Sequence, residues 1–228
     1  MSLRVRGVDA RYGRGPLVLQ GVDLDAAGGE TVGVCGPSGS GKSTLARVLA
    51  LLHEPAAGTV AVDGTDAVRW GLRAPARLRR RTGVVFQSPR ASVDPRQDLR
   101  AVVAEPLLLA PRGERVPDVA ARVSELAASV GLAEALLDRR PHQVSDGQLQ
   151  RACLARAVST DPAVLVCDEM TAMLDASSTA RLVGEVRSWQ ARSGAAVVAV
   201  SHDAALLRRW ADRLVVLDAG RVRQSEAP

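Results

Sequence analysis

The chain has 228 residues, is 46% hydrophobic, and carries 30 Lys or Arg side chains against 25 Asp or Glu, which gives a net charge of +5. This length fits one domain, or one core with a subdomain, and no apolar run approaches the ~18 residues of a membrane span. The basic side chains are spread along the chain and only 2% of the residues are aromatic, so the composition argues against a nucleic acid partner, which would need clustered charge and stacking rings.

The amino terminus lacks the apolar stretch of a secretory signal, so we expect a protein that stays in the cytoplasm. The three cysteines, Cys35, Cys153 and Cys167, lie in apolar stretches and lack the spacing of a disulfide framework or a metal site. They are therefore expected to be buried, reduced thiols without a chemical role.

Short β-rich runs open the chain and predict strands. These runs are Leu3 to Val8, Leu17 to Leu24, Glu30 to Cys35 and Thr59 to Val62. An Asp63-Gly64 turn closes the last of them. Between the third and fourth runs, the apolar pattern from Thr44 to Leu52 predicts a helix.

The middle of the chain, from about Asp98 to Ser159, has the apolar spacing of helices. The pattern is clearest from Val116 to Val130 and from Ala133 to Leu137. Four prolines interrupt it and separate the helices: Pro106, Pro111, Pro117 and Pro141.

Strands and helices alternate in the last part of the chain. The predicted order is strand Ala163 to Cys167, helix Ser177 to Arg192, strand Ala195 to Val200, helix Ala204 to Trp210 and strand Arg213 to Leu217. Alternation at this spacing implies a parallel sheet, and the chain is therefore expected to have an α/β fold.

A glycine-rich stretch between a predicted strand and a predicted helix matches the phosphate-binding pattern G-x-x-x-x-G-K-[ST]. Lys42 within it is the only lysine of the chain, and every other basic residue is arginine. A surface lysine after a flexible loop is the simpler alternative, but backbone N–H groups at a helix N-terminus favour phosphate. We therefore predict nucleotide binding by Gly36, Pro37, Ser38, Gly39, Ser40, Gly41, Lys42, Ser43 and Thr44.

A second informative stretch is the apolar run Ala163 to Cys167, which ends in Asp168 and Glu169. It predicts a buried strand that delivers two carboxylates to its C-terminal edge, where open α/β sheets bind ligands. With a phosphate loop upstream, Asp168 is expected to hold Mg²⁺ together with the Ser43 hydroxyl, and Glu169 to polarise an attacking water. A strand followed by an acidic turn is the alternative without a function.

A third stretch, Val144-Ser145-Asp146-Gly147-Gln148-Leu149-Gln150-Arg151, opens a predicted helix that runs to Val158. It resembles the L-S-G-G-Q signature of ATP-binding cassette (ABC) ATPases, and it lies between the phosphate loop and the acidic strand, in the order of that family. Further positions resemble family elements, and the resemblance spans nearly the whole chain. These positions are Tyr12 for the adenine-stacking aromatic, Gln87 for the Q-loop glutamine, Asp175 for the D-loop aspartate and His202 for the switch histidine.

The resemblance implies a P-loop NTPase of the ABC cassette type. Its fold has a mainly parallel RecA-like core sheet, an antiparallel β subdomain and an inserted α-helical subdomain. Residues 1–228 are then a single ABC ATPase domain, with residues 1–88 and 160–228 forming the nucleotide-binding core and residues 89–159 the helical signature subdomain.

The resemblance also implies that one chain holds an incomplete site. Two cassettes meet head to tail around two ATP, and Ser145, Gly147, Gln148 and Asp175 of one complete the site on the phosphate loop of the other. The expected cofactors are ATP and Mg²⁺, with the metal held by Ser43, Gln87 and Asp168. Catalytic roles are expected for Glu169, His202 and Gln87.

Three positions depart from the family pattern. Asp146 stands in place of the first signature glycine, Leu149 in place of a basic or polar residue, and Met170 in place of proline after the catalytic glutamate. Because a carboxylate near a triphosphate repels it, we expect Asp146 to slow hydrolysis at the composite site, although an acidic residue also suits the first turn of a helix.

The stretch Phe86 to Arg96, with Glu105-Pro106-Leu107 after it, resembles the F-Q-(D/S)-P-x-x-S-L-N-P-R and E-P-L motifs of peptide and nickel importer ATPases. Such systems combine two ATPase subunits, two transmembrane permeases and an extracytoplasmic solute-binding protein. The resemblance implies a peripheral subunit at the cytoplasmic face of the cell membrane. Together with the unusual signature, it favours a paralogue over an identical copy as the second ATPase.

Three alternatives remain at this point. The first is the ATPase of an exporter or of an importer for another solute. A soluble ABC protein of DNA repair or translation needs a long coiled-coil insertion or two tandem cassettes, and 228 residues with one phosphate loop provide neither. A P-loop kinase or GTPase needs neither the Ser145 to Gln148 stretch nor His202, and the chain has no N-K-x-D motif for guanine.

Overall fold

The computed structural model describes residues 2–67, 74–111 and 116–226. It contains ten strands in that part of the chain, which fall into two sheets. In chain order the strands are β1 (Leu3–Ala10), β2 (Leu19–Ala26), β3 (Thr31–Cys35), β4 (Ala57–Val62), β5 (Thr65–Ala67), β6 (Thr82–Val85), β7 (Val164–Asp168), β8 (Ala196–Val200), β9 (Arg213–Asp218) and β10 (Arg221–Glu226).

The helices lie between the strands and in a block in the middle of the chain. They are α1 (Lys42–Leu49), α2 (Ala76–Arg79), α3 (Leu99–Leu108), α4 (Val119–Ser129), α5 (Asp146–Val158), α6 (Ala176–Ser193) and α7 (Ala204–Arg208). Short 3₁₀ turns occupy Arg90–Ser92, Glu134–Leu136 and Pro141–Gln143. None of the helices within residues 2–67, 74–111 and 116–226 is long and apolar enough to cross a membrane.

The larger sheet has the strand order β10-β9-β3-β8-β7-β6. Every neighbouring pair is parallel except β10 with β9, which is an antiparallel hairpin at one edge. The smaller sheet, β2-β1-β4-β5, is antiparallel throughout. The predicted α/β fold, with a mainly parallel core sheet and an antiparallel β subdomain, is therefore confirmed.

The core lies on both faces of the parallel sheet. Strands β3, β7 and β8 are buried at every residue, as expected for central strands that are covered on both sides. Side chains alternate along β7, so that Leu165 and Cys167 pack among the helices α3 to α6. Val164 and Val166 face the other way, towards α1 and the antiparallel sheet.

The middle of the chain is built from helices that pack on one another, with α3, α4 and α5 in mutual contact. Asp98 and Asp118 begin α3 and α4 as N-caps, each accepting a hydrogen bond from a backbone N–H three residues on. The predicted helix at Ala133 to Leu137 is instead a single 3₁₀ turn. Residues 89–111 and 116–159 contain no strand, and a separate helical signature subdomain at 89–159 remains our proposal.

Candidate active site

The predicted site residues follow four neighbouring strands of the parallel sheet. Gly36 comes directly after β3, Gln87 two residues after β6, Glu169 directly after β7 and His202 two residues after β8. The register pairs the last residues of these strands with one another. Because parallel strands end at the same edge, the fold brings these four segments to one side of the sheet.

The loop between β3 and α1 requires glycine at two positions. Gly36 has φ 157°, and a Cβ there would lie 2.0 Å from the carbonyl oxygen of Leu217. Gly41 has φ 103° in the left-handed region, and a Cβ there would lie 2.9 Å from Leu19 Cδ2. Only glycine permits this close path of the loop against its neighbours.

Lys42 is the first residue of α1 and is buried, whereas the sequence pattern placed the helix start at Thr44. Its Nζ donates hydrogen bonds to the carbonyl oxygens of Gly36 at 2.9 Å and Pro37 at 2.8 Å. Across the described residues no carboxylate forms an ion pair with this ammonium group. Its charge is therefore held inside the loop by carbonyl dipoles and stays available to an anion.

Ser43 and Asp168 join the loop to the acidic strand. The Ser43 hydroxyl donates to Asp168 Oδ1 over a long 3.4 Å, and Asp168 is 7% exposed. Burial, followed by the charge of Glu169, raises the pKa of Asp168, although Arg47, Ser43 and Lys42 act in the opposite direction. This carboxylate is thus buried with little compensation, which is an environment that favours a cation beside it.

Glu169 stands in a left-handed backbone conformation, with φ 48°. Its N–H donates to the carbonyl oxygen of Val200 at 2.9 Å, and its Oε2 lies 3.4 Å from His202 Nδ1. A non-glycine residue at positive φ costs about 1–3 kcal/mol and is found most often at functional sites. This residue lies directly beyond the end of β7.

His202 and Gln87 reach solvent at this edge. The His202 side chain is 61% exposed, whereas that of Glu169 is only 17% exposed. Gln87 is exposed in the bend that follows β6. Both side chains therefore lie where a ligand on the sheet edge can reach them.

Tyr12 is held against the first turns of α1. Its hydroxyl accepts a hydrogen bond from Arg47 Nη1 at 2.9 Å and lies 3.3 Å from Thr44 Oγ1. Its ring centroid is 4.7 Å from that of His53, with the planes tilted by 43°. The phenol, 47% exposed, thus stands beside the glycine loop, and the sequence pattern gave no signal for its partners Arg47 and His53.

The signature stretch forms the start of α5. Ser145 is the N-cap: its Oγ accepts from Gln148 N at 3.2 Å, and Gln148 Oε1 accepts from Ser145 N at 2.9 Å. This reciprocal pair is a capping box, and it fixes the exposed serine at the positive end of the helix. In the described parts of the chain, no hydrogen bond or ion pair joins Ser145 or Gln148 to the glycine loop.

Asp175 begins α6 in a similar way. Its carboxylate accepts hydrogen bonds from Ser178 N at 2.9 Å and from the hydroxyls of Ser177 and Ser178 at 2.7 Å each. These bonds hold the pKa of Asp175 well below its usual value, with the Ser177 hydroxyl as the largest cause. A Cβ on Gly147 would lie 3.7 Å from Ser178 Oγ, so the starts of α5 and α6 are adjacent.

The three departures from the family pattern have different structural settings. Leu149 is completely buried and Met170 is 4% exposed, and both belong to the hydrophobic cluster around the helices. They therefore serve packing. Asp146 instead forms an ion pair, with its Oδ1 2.8 Å from Nε of Arg90. The expectation that Asp146 slows hydrolysis considers the carboxylate without a charge partner, whereas the structure pairs it with Arg90, a contact for which the sequence carries no signal.

Comparison with known proteins gives sequence relatives along the whole chain. The ABC transporter family matches residues 19–172. The nickel import ATP-binding protein NikE of Escherichia coli is 35% identical over 235 residues, which cover 98% of this chain and 86% of the relative. The methionine import ATP-binding protein MetN of Caulobacter vibrioides is 41% identical over 209 residues, 92% of this chain, and the match spans only 61% of that relative's length.

Solved structures give the same result for the fold. The ATP-binding cassette MJ0796, in a dimeric post-hydrolysis state bound to ADP and Pi, superimposes with a TM-score of 0.87 at 29% identity, covering 99% of this chain and 98% of that one. The subunit cbiO1 from Clostridium perfringens, part of the ABC transporter complex cbiONQ, superimposes with a TM-score of 0.84 at 26% identity, covering 99% of this chain and 88% of that one.

Proposed function

The chain belongs to the ABC transporter family and is an ATPase of that family, and from this premise we propose that it drives the import of nickel complexes or peptides. The observation that carries the proposal is the match to NikE, a nickel import ATP-binding protein, which covers nearly all of this chain. The importer-like motif from Phe86 to Arg96 supports the same class. The similarity to MetN, a methionine import protein, makes amino acid uptake the second candidate.

In the proposed site, the glycine loop and Lys42 bind the phosphates of ATP. The lysine ammonium, held between two carbonyl oxygens at 2.9 and 2.8 Å, supplies a compact charge for the β- and γ-phosphates. The ring of Tyr12, fixed to α1 by its hydroxyl, offers a face on which adenine can stack.

We assign hydrolysis to the edge of the sheet where Glu169 follows β7. Glu169 orients and polarises the attacking water, and His202 contacts the γ-phosphate and positions Glu169 through their 3.4 Å contact. Gln87, exposed on the loop after β6, senses the nucleotide and passes the change of state to the helical region. Proton acceptance thus takes place at the Glu169 carboxylate, which burial partly shields from bulk water.

The residues at this edge fit a bound Mg²⁺. No cluster of three or more His, Cys, Asp or Glu side chains that could hold a metal occurs in residues 2–67, 74–111 and 116–226, and Mg²⁺ needs none, because it binds through one or two protein oxygens together with substrate phosphates. Asp168, Ser43 and Gln87 would supply those oxygens. When bound, the ion neutralises charge on the phosphates.

The second half of the site is proposed to come from another cassette. Ser145, Gly147 and Gln148 cluster at the N-terminus of α5, next to Asp175, and none bonds to the glycine loop of its own chain in the described residues. A helix N-terminus with an exposed serine is a phosphate-binding element. The dimeric state of the cassette MJ0796 supports two chains closing on two ATP.

The proposed assembly contains a second ATPase, a paralogue in preference to an identical copy, with two transmembrane permeases and an extracytoplasmic solute-binding protein. This chain would then lie on the cytoplasmic face of the membrane as a peripheral subunit. Each of these partners follows from the importer class and is open to direct test.

The test is capture of the assembly from the native cell. A tagged chain with Glu169→Gln is purified from membranes in ATP and Mg²⁺, and its companions are identified by mass spectrometry. Two permeases, a second ATPase and a nickel- or peptide-binding protein support the proposal. A methionine-binding protein would move the solute to amino acids. A complex without membrane subunits would contradict transport.

A further inference from the structure

The guanidinium group of Arg90 contacts the residues on either side of the signature serine, Ser145. Arg90 lies in the 3₁₀ turn Arg90–Ser92, shortly after Gln87. Its Nη1 donates to the carbonyl oxygen of Pro141 at 2.8 Å, its Nη2 donates to that of Val144 at 3.2 Å, and its Nε lies 2.8 Å from Asp146 Oδ1. All three nitrogens of one side chain therefore contact the six residues that lead into α5.

Arg90 is the only charge partner of Asp146 in the described residues. The Asp146 Oδ1 atom is shielded from solvent, and its contact with Arg90 has the distance but not the angle of a hydrogen bond, so no donor satisfies this oxygen. Removal of the arginine would leave the Asp146 carboxylate, next to Ser145, without its opposite charge, so that only solvent would screen its negative charge.

The segment that carries Arg90 is itself tied to α5 at two further points. Gln150 Nε2 donates to the carbonyl oxygen of Phe86 at 2.9 Å, and Arg156 Nη1 donates to that of Ser92 at 2.8 Å. The backbone on either side of Arg90 is thus fixed relative to the helix. The guanidinium is consequently placed by the fold, with little freedom to leave Asp146.

We propose that Arg90 is a positioning residue that neutralises Asp146 and so allows this chain, despite an acidic signature, to complete an ATP site on the partner cassette. The inference rests on the proposed function, because it assumes that Ser145 faces a triphosphate. Both side chains are partly exposed, 47% for Arg90 and 41% for Asp146, so the pair adds little to folding stability. Its effect is on the charge that the incoming ATP meets.

The contact uses the width of the guanidinium. Three separate nitrogens of its planar fork face two carbonyl oxygens and a carboxylate at once, whereas a lysine would have to meet all three from one nitrogen. The signature of this chain therefore has two parts, the serine-bearing helix start and an arginine from a segment more than fifty residues earlier in the sequence.

The experiment measures ATP hydrolysis by the captured assembly, with Glu169 intact, for Arg90→Ala, Asp146→Asn and the double variant. We expect Arg90→Ala to lower kcat/KM for ATP about tenfold, because the unpaired Asp146 carboxylate then repels the phosphates of ATP at a solvent-screened protein surface. The double variant should recover most of the loss. Raising the salt concentration should narrow the deficit of Arg90→Ala, since salt screens exposed charges.

Arg100→Ala is the matched control, because Arg100 pairs with Glu134 and Asp138 away from the signature. It should hydrolyse ATP as the unchanged chain does. An Arg90→Ala defect that persists in the double variant and at high salt would show a structural role and overturn the inference, as would an absence of any defect. Either result would leave the proposed transport function standing. An assembly whose ATP hydrolysis does not depend on Glu169 would overturn both proposals.

Discussion

Glu169 and His202 meet across the ends of two adjacent strands: Oε2 of the glutamate lies 3.4 Å from Nδ1 of the histidine. The pairing of Asp168 with Val200 in the parallel register brings them together, and a backbone hydrogen bond from Glu169 to Val200 holds the glutamate there. One side chain is largely buried and the other faces solvent. The pair thus joins a largely buried carboxylate at the sheet edge to an imidazole that faces solvent.

The first prediction concerns Glu169. Glu169→Gln should reduce ATP turnover at least ~100-fold, the usual effect of losing a general base, while ATP binding persists because the amide keeps the shape of the side chain. Phosphate release by the captured assembly measures turnover, and a fluorescent ATP analogue measures binding. Glu134→Gln, at an exposed ion pair with Arg100, is the control and should remain active. Substantial turnover by Glu169→Gln would remove the assigned role.

A second prediction is that Lys42→Arg weakens ATP binding although the positive charge is kept. The ammonium group fits between two carbonyl oxygens in a buried position, and a planar guanidinium is too large for that place. We expect the affinity for ATP to fall at least ~10-fold, as for the loss of a charge-assisted phosphate contact. Arg139→Lys, at an exposed position, should bind as the unchanged chain does. Equal affinity for Lys42→Arg would show that charge alone suffices.

Most of the architecture could be predicted because its signals are local. A strand, a glycine loop and an apolar helix follow one another within residues 30 to 52, and the acidic pair follows an uninterrupted apolar run. The rule that parallel strands end at one edge then places Ser43 near Asp168, although they lie far apart in the sequence, and their side chains do meet.

What the sequence did not predict depends on pairing in space. Strand β10 (Arg221–Glu226) is polar and lies at the edge of the sheet, where pairing with β9 stabilises it without an apolar run. No periodic pattern in the sequence predicts the contact of Arg90 with Asp146. Asp146 could be recognised as unusual because it replaces a glycine of the family signature. Its partner Arg90 is brought close to it only by the packing of α5 against the segment that follows β6.

A third prediction is a requirement for Mg²⁺ that depends on Asp168. Removing divalent ions with EDTA should abolish hydrolysis, and excess Mg²⁺ should restore it. Asp168→Asn should raise the Mg²⁺ concentration needed for half-maximal activity about tenfold or more, because the ion then loses its charged protein ligand. Titration of Mg²⁺ in a phosphate-release assay measures this. Asp161→Asn, at an exposed ion pair with Arg122, should titrate normally, and a normal titration of Asp168→Asn would contradict the assignment.

The fourth prediction is that the thiols of the folded chain react slowly. Cys35, Cys153 and Cys167 are all buried and free, and burial raises the pKa of Cys153 and, with the charge of Asp168, raises that of Cys167 to about 12. Because the thiolate is the reactive form, only ~10⁻⁴ of Cys167 is reactive near pH 8. Iodoacetamide should label the folded chain slowly and all three cysteines rapidly in denaturant. Rapid labelling of the folded chain would show that these sites open.

The last prediction compares alanine substitutions at two glycines that lie outside the glycine loop. A Cβ on Gly83 in β6 would lie 2.4 Å from the carbonyl oxygen of Ala157, so Gly83→Ala must push β6 away from the end of α5 and should destabilise the fold by ~1–3 kcal/mol. Gly184 lies inside α6 with nothing within 4 Å of a Cβ, so Gly184→Ala should stabilise it by ~0.5–1 kcal/mol.

Urea unfolding followed by circular dichroism measures both effects, because neither position touches the proposed ATP site. The opposite signs make the pair its own control, since both variants add the same methyl group. Gly83 also lies four residues before Gln87 on the strand that leads to it, and α5 carries the signature at its other end. A neutral Gly83→Ala would therefore mean that β6 and the signature helix can separate at little cost, and that the close approach of Gly83 to Ala157 does not fix the position of the signature.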